Sequence, residues 1–550
     1  MHNGPWGNAS EAGKAELKRS KQRCSAAAHK DGGPTMVSRW TASAVPLLVA
    51  SLLAGCQLAP PHDQPPSPSA AQYSAEYQPR RGTVQASEIA WRTFLQDPRL
   101  HAYMTAALQR NRDLQIAVAR IEEARGQFNV QGADRYPTLA ATADASRGRF
   151  PAGGTGATGT GSSGSGSAPG GTSGLSAGSG GRVTERFSVG LGITAFELDF
   201  WGRVRNLTEA ARAQYLSTVE AQRAFQLSLI ADVASTYLAV RGAEARIDLA
   251  EATLQSRLDG LRIARVRFDA GITSALDLNQ AQSLLTQAKT ELSSLRLTRA
   301  GQINYLTLLV GGPMQQALPE PLPLNEQINP MMLDAGLPSE VLLVRPDIVG
   351  AEQDLRAARA NIGVARAAFF PQISLTGSFG YISNELNGLI SRDNRTWSIG
   401  PSISLPLFDF GRNRGNLTVA EARENIAVAE YERAIETAFR EVADALAGRR
   451  YLAEQVTAQD ENVATLRRIA DLARERYAEG VVNYLQVLDA ERTLFDAEQA
   501  LIEVKRAQVQ NLVELYVALG GGTAAEPPAT AASRRTNGCA DAAHPTCGTE

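Results

Sequence analysis

Among the residues of this 550-residue chain that could ligate a metal or carry nucleophilic chemistry, the four cysteines and five histidines are few enough for their positions to be informative. Cys24 and Cys56 stand near the front, Cys539 and Cys547 in a Gly/Ala/Thr-rich tail, and none lies between. His2, His29, His62 and His544 fall in leader, linker or tail, which leaves His101 alone in the ordered region. A lone histidine without neighbours at ligand or triad spacing makes neither a zinc cluster nor a Ser–His–Asp site, so no metal, cofactor or enzymatic activity is expected. A formal net charge of −2, with no dense Lys/Arg run after residue 40, gives no field for nucleic acid. The Gly/Ser/Thr-rich stretch from about Gly148 to Gly181 holds no lysine and opens no helix in the phosphate-cradling pattern, which sets nucleotide aside. What remains is the thiol of Cys56 and a mostly acidic row, Val482, Asp489, Asp496 and Glu503, spaced by sevens. Taken alone, that row fits a solvated coiled-coil face equally well.

The front of the chain supplies an address for Cys56. From Met36 a charged start, Met-Val-Ser-Arg-Trp, leads into a mostly apolar stretch from Ala42 to Leu53 and then Leu53-Ala54-Gly55-Cys56. The stretch is too short for a spanning helix of about 20 residues, and the order is that of a secretory signal. Its cleavage site resembles a bacterial lipobox. By that resemblance Cys56 becomes the acylated first residue of the mature chain, several acyl chains together anchoring where one is marginal. Gln57 follows in place of the Asp that marks inner-membrane retention, so the resemblance implies the outer membrane. Residues 1–55 are read as leader and signal peptide, and 56–90 as an acylated linker. The cysteine-free body suits an oxidising compartment.

The elements that must position everything else come in two copies. Arg267-Phe268-Asp269-Ala270-Gly271-Ile272 recurs as Arg476-Tyr477-Ala478-Glu479-Gly480-Val481, 209 residues on. At that offset Leu278, Leu285, Leu292 and Leu306 fall on Val487, Leu494, Leu501 and Leu515, and Gly311-Gly312 on Gly520-Gly521. Upstream, Asp199-Phe200-Trp201-Gly202-Arg203 pairs with Asp409-Phe410-Gly411-Arg412, and Asp113 through Pro137 with Asp347 through Pro371. The chain is a tandem duplication, with repeats at 91–312 and 347–522, a linker at 313–346 and a tail at 523–550. Each repeat holds one proline-free, helix-like segment of 68 residues, 203–270 and 412–479, roughly 100 Å of helix at 1.5 Å per residue. Two shorter helical segments flank each long one, and stacked end to end they nearly match it, which suggests a wall of parallel rods. The last rod carries two apolar stripes. Val481, Leu488, Phe495, Ile502, Val509 and Tyr516 form one, and Val487, Leu494, Leu501 and Leu515 the other. Two stripes fit a helix with a neighbour on each side.

Between the helices of each repeat lie two alternating segments, at about 137–147 and 186–198, then 371–381 and 396–408. Ile373, Leu375, Phe379 and Tyr381 alternate with Ser374, Thr376 and Ser378, and Trp397, Ile399 and Ile403 with Ser398, Gly400 and Ser402. Ten-residue alternation is the mark of membrane strands with one face to lipid and one to water. Four strands cannot close a barrel, for which about eight is the smallest number, and edges cannot be left in lipid. Three copies giving twelve strands are the simplest cyclic solution.

Several stretches resemble the TolC-like outer-membrane efflux proteins, most closely the lipoproteins of the OprM/NodT type. They are Trp91-x-x-Phe94 with Asp97-Pro98, then Gly336-Leu337-Pro338-Ser339 leading to Arg345-Pro346-Asp347-Ile348, Asp409-Phe410-Gly411-Arg412, and the run from Arg476 through Gly480, Asn483-Tyr484-Leu485 and Leu488-Asp489-Ala490. The resemblance covers roughly residues 56–522. It implies a mainly α chain with a membrane β-barrel: a trimer whose twelve-stranded outer-membrane barrel continues as a long periplasmic α-helical barrel, with the 313–346 linker at its equator. The implied partners are a periplasmic adaptor protein and an inner-membrane transporter, and the implied cargo is drugs, dyes, detergents or other amphiphiles. The turns at Gly271, Ile272, Gly480 and Val481 would be the tips where the adaptor docks, although glycine there is equally explained as a helix-ending residue. Leu485 and Asp489 would form the constriction, with Arg476 a basic partner for the carboxylate. A duct for metal efflux or protein secretion would share this architecture, and a purely structural periplasmic coiled-coil lipoprotein is the alternative outside transport.

Overall fold

The computed structural model of the chain describes residues 57–66, 68, 86, 89–150, 182–314, 317–328 and 345–522. The leader, Cys56 and the other three cysteines, the Gly-rich insertion beyond Phe150, the segment 329–344 and the tail from residue 523 lie outside the described residues. The first repeat comprises α1 (Trp91–Phe94), α2 (Pro98–Arg110), α3 (Arg112–Ala133), β1 (Leu139–Phe150), β2 (Arg182–Glu197), α4 (Arg203–Asp269) and α5 (Ala275–Val310). The second comprises α6 (Pro346–Ala367), β3 (Gln372–Ser383), β4 (Arg395–Ser404), α7 (Arg412–Ala478) and α8 (Tyr484–Ala518).

The duplication is visible in the backbone. α4 and α7 each run 67 residues. Each starts after a left-handed glycine, Gly202 at φ 74° and Gly411 at φ 88°, and each is followed by another, Gly271 at 73° and Gly480 at 72°. Only glycine takes that conformation without a Cβ penalty, which is why helices of this length stop where they do. Of the shorter rods, α3 and α6 have 22 residues each, and α5 and α8 have 36 and 35. In the half of the wall next to the sheet α4 packs between α3 and α6, and α6 packs against α7; in the other half α4 packs against α5 and α8, and α8 against α7. The two stripes of α8 go to different neighbours. Leu494 and Leu501 pack with Val463 and Ala470 of α7, while Phe495 packs with Ala250 of α4 and Leu292 of α5.

The four strands form one antiparallel sheet in the order β1-β2-β3-β4. Leu191 lies between Ala141 and Phe379, and Phe379 between Leu191 and Trp397. Opposed residues point to the same face, so Ala141, Leu191, Phe379 and Trp397 share an apolar face and Thr142, Gly190, Gly380 and Thr396 a polar one. Trp397, Ile399 and Ile403 are 72%, 65% and 69% exposed; among the described residues no protein layer covers that face. β4 ends at Ser404, short of the expected 408, because Ser404 pairs with Gln372, the first residue of β3, and the partner strand goes no further. Among the described residues no helix is long and apolar enough to cross a membrane.

Among the described residues the largest core lies at the waist, where α1 and α2 lie over the middle of α4 and the end of α8. Phe94 stacks on Tyr516 at 4.3 Å, and the Tyr516 hydroxyl donates to the Ile89 carbonyl at 2.6 Å. Asp97, fully buried, is the hub. One carboxylate oxygen caps α2 by accepting from the Arg99 and Leu100 N–H groups. The other accepts from the Tyr237 hydroxyl at 2.6 Å, Gln327 Nε2 at 2.9 Å and the Leu322 N–H at 3.1 Å. Burial, then that bond to Asp97, pushes the Tyr237 phenol far up. His101 is a structural histidine, its Nε2 2.7 Å from the Leu95 carbonyl and its ring edge-on to Trp91. The arm 57–66 runs along α6, where Arg366 donates to the Leu58 carbonyl and Arg359 to that of Asp63.

Candidate functional site

The two tips are built alike. At the end of α4 the Gly271 N–H donates to the Phe268 carbonyl and the Ile272 N–H to that of Arg267. At the end of α7 Gly480 donates to Tyr477, and Val481 to Arg476. This double bond pattern around a left-handed glycine closes a helix, so both glycines have a full structural explanation. The next helix then starts on a side-chain cap. Ser274 accepts from the Asp277 N–H in a capping box, and Asn483 accepts from that of Gln486. Hydrogen bonds from Thr273 and from Ser274 hold the Asp277 carboxyl below its ordinary range. Among the exposed apolar side chains at the tips are Ile272 and Val481, 69% and 65% exposed, with Leu276 beside them at 65%. The Arg267 guanidinium lies 4.7 Å over the Tyr477 ring and ties the two tips together.

Leu485 and Asp489 stand one turn apart at the start of α8. Leu485 is 53% exposed. With Leu488 and Arg492, and with Gln280, Ser283 and Leu284 of α5, they line a hollow of about 170 Å³ between the two helices. Within the chain Asp489 pairs with Arg492 at 2.8 Å, both side chains exposed; Arg476 contributes its carbonyl to the tip turn. Asp489 and Asp496 of the acidic row are exposed and Glu503 half-buried.

Behind this hollow lies a polar ladder that inspection of the sequence missed. Arg257 of α4, 8% exposed, bonds to Glu491 of α8, which also accepts from Arg474 of α7 at 2.9 Å. Further along, Arg246 bonds to Gln499 and, at 2.9 Å, to Glu503. At the tip end the Tyr484 hydroxyl lies against Gly260, where an added Cβ would come within 3.1 Å of it. Burial, followed by Glu491, raises the Tyr484 phenol. Rungs at 484, 491 and 499 face 260, 257 and 246, so α8 is held antiparallel along α4 by ions and amides as well as by apolar packing. No spacing in the sequence singles these residues out, because arginine and glutamate are frequent on every helix here.

A sheet with one uncovered apolar face, continued through pairs of very long helices to glycine-turned tips, defines a membrane duct subunit. The family model for outer membrane efflux proteins matches residues 104–312 and 337–521. The chain belongs to that family, which is one of outer-membrane channels and not of enzymes. It is 41% identical over 483 residues to the solvent efflux pump outer membrane protein SrpC of Pseudomonas putida, covering 87% of this chain and 98% of that one. To the cation efflux system protein CusC of Escherichia coli it is 39% identical over 483 residues, with the same coverage of 87% and 98%. Among solved structures, the open-state MtrE outer membrane channel of Neisseria gonorrhoeae is similar with a TM-score of 0.74 at 36% identity, over 85% of this chain and 98% of that one.

Proposed function

We propose that three copies of the chain close into a twelve-stranded barrel in the outer membrane, continued by a periplasmic helical barrel, as the passive exit duct of a tripartite efflux pump. The observation that carries the reading is the sheet: its apolar face is uncovered and its two outer strands, β1 and β4, are free. Neither is tolerable in lipid unless the sheet closes. The helices point the same way, since Ile116, Val118 and Val130 on α3 and Val419 and Ile426 on α7 are exposed apolar residues at opposite sides of one wall. A heterologous contact of this kind closes into a ring when its rotation divides the circle, and closure is what removes the sheet edges from lipid. The partners are a periplasmic adaptor, seated on Ile272 and Val481, and an inner-membrane transporter that supplies the energy. The cargo is small amphiphiles, as the solvent-pump relative suggests; efflux assays with solvents and with metal ions separate this from the cation cargo of CusC. Planar-bilayer recording of the purified protein tests the duct. Discrete conductance steps from a trimer are expected, and a trimer that conducts nothing even with Leu485→Ala/Asp489→Ala would overturn it.

The resting constriction is assigned to Leu485 and Asp489. Three copies of the leucine would exclude water, and three carboxylates, each held in the single chain by Arg492, would favour cations. Leu485→Ala/Asp489→Ala should raise resting conductance several-fold, weaken cation preference and admit bulky antibiotics at unchanged trimer yield. A double variant conducting like the parent at matched salt and voltage would place the constriction elsewhere.

Cys56 is the lipid attachment site in this reading, and intact mass of the membrane-extracted protein checks it. The mature chain should begin at an acylated Cys56, and Cys56→Ser should give an assembled but unlipidated channel. An unmodified Cys56 within a longer chain would refute the assignment.

A further inference from the structure

We infer the residue register at which one copy of the chain meets the next, an inference that rests on the ring of three proposed above. Within one chain the wall already contains a junction from first repeat to second, where β2 pairs with β3 and α4 packs on α6. A closed ring needs that junction once more per copy, from the second repeat of one chain to the first repeat of the next. The surfaces it would use are β4 and α7 on one side and β1 and α3 on the other. Those are the free strands and the exposed apolar helix faces. The internal junction is therefore a template for the one between copies.

Transposing it needs only the duplication. β2 maps onto β4 by 210 residues, as Asp199-Phe200 onto Asp409-Phe410 does, and β1 onto β3 by 234, as Tyr136-Pro137 onto Phe370-Pro371 does. In the template Val189 opposes Tyr381 and Ile193 opposes Gly377. Transposed, Ile399 opposes Arg147 of the next copy and Ile403 opposes Ala143 of the next copy. Apolar then meets apolar on the lipid side around Ile403. A one-residue slip would turn the whole strand over. Two-residue slips keep the face, and it is the template that rejects them.

The corner and the helices transpose in the same way. Trp201 stacks on Phe370 at 4.6 Å and donates to the Pro371 carbonyl at 2.8 Å, which closes the corner between β2 and α4. The matching corner of the second repeat leaves Phe408 and Phe410 wholly exposed, and Tyr136, the counterpart of Phe370, is 73% exposed. Trp201 itself has no counterpart there, since Phe410 answers to Phe200 and Gly411 to Gly202, so the exposed rings of Phe408 and Phe410 are what this corner offers to cover Tyr136 of the next copy. On the helices, Asn206 is fully buried, neither of its amide atoms has a partner, and an added Cβ on Gly363 would lie 2.4 Å from its nitrogen. Asn206 donates its N–H to the Gly202 carbonyl as Gly415 does to that of Gly411, so Asn206 answers to Gly415, while Gly363 maps onto Asn129. Where the internal junction packs Asn206 of α4 on Gly363 of α6, the junction between copies inverts the pair and sets Gly415 beside Asn129 of the next copy. The same close asparagine-on-glycine approach is thus kept at both junctions, with the two residue types exchanged between the helices.

Cysteine pairs read the register directly. In the full-length chain carrying Cys539→Ser and Cys547→Ser, Ala143→Cys/Ile403→Cys should convert the monomer band to a covalent trimer on oxidation, because directly opposed Cα atoms, about 5 Å apart, lie within disulfide reach. The shifted pairs Ala141→Cys/Ile403→Cys and Ala145→Cys/Ile403→Cys should stay largely monomeric. Should strand cysteines block insertion, Asn129→Cys/Gly415→Cys gives the same readout from helices outside the membrane. A protein with the native mass of three copies whose shifted pairs cross-link instead overturns the register and leaves the ring standing. A native mass other than three copies overturns the ring, and the register with it.

Discussion

Gly380→Val should prevent assembly of the sheet. Gly380 opposes Gly190 across β2 and β3, and a Cβ there would lie 2.4 Å from the Val189 carbonyl oxygen and 2.7 Å from the Gly190 Cα. Both obstacles are backbone, so no rotamer change relieves them. The strands must part, and each ladder bond lost costs about 1 kcal/mol, more where no water reaches the freed groups. Gly377→Ala is the internal control on the same strand, since its Cβ would meet nothing nearer than the Ser398 carbonyl oxygen at 3.8 Å. Heat-resistant trimer recovered from outer-membrane fractions is the measurement. It should vanish for Gly380→Val and persist for Gly377→Ala; equal recovery would mean that the close approach of the two strands is not a feature of the assembled barrel.

Glu491→Ala should loosen the start of α8 from α4. The substitution leaves Arg257, 8% exposed, without its carboxylate, and breaking a buried pair from one side costs about 3–5 kcal/mol. Arg257→Ala should cost less, because Glu491 keeps Arg474 as a partner. The double change Arg257→Met/Glu491→Leu removes both charges together and should recover most of the loss. Hydrogen exchange over residues 484–499 reports the loosening, and a rise in resting conductance should accompany it if α8 carries the constriction. Exchange in Glu491→Ala as slow as in the parent would show that apolar packing alone holds the helix.

The long helices were legible in the sequence because nothing interrupts them. Proline-free runs ending in Gly271 and Gly480 became helices ending in left-handed glycines, one residue short of each expected end. Alternation along Ile373 to Tyr381 carried the strands in the same local way, since a period of two decides which face each side chain takes. Strand ends were less legible. β2 begins at Arg182, ahead of the expected 186, because ladder pairing with β1 continues past the point where alternation fades.

Sequence by itself determined the repeat, the lengths of its rods, the strand faces and the family motifs, all of which are written in local period or in comparison of the chain with itself. Tertiary structure alone decided which rods touch. That Arg257 meets Glu491, that Asp97 gathers Tyr237, Leu322 and Gln327, and that Asp489 has Arg492 beside it follow from packing. Most of these partners are more than a hundred residues apart, and each is one of many chemically equivalent candidates along helices of the same period. Periodicity fixes the face a residue occupies but carries no information on which distant face it will meet; only the geometry of helices crossing in space selects among them.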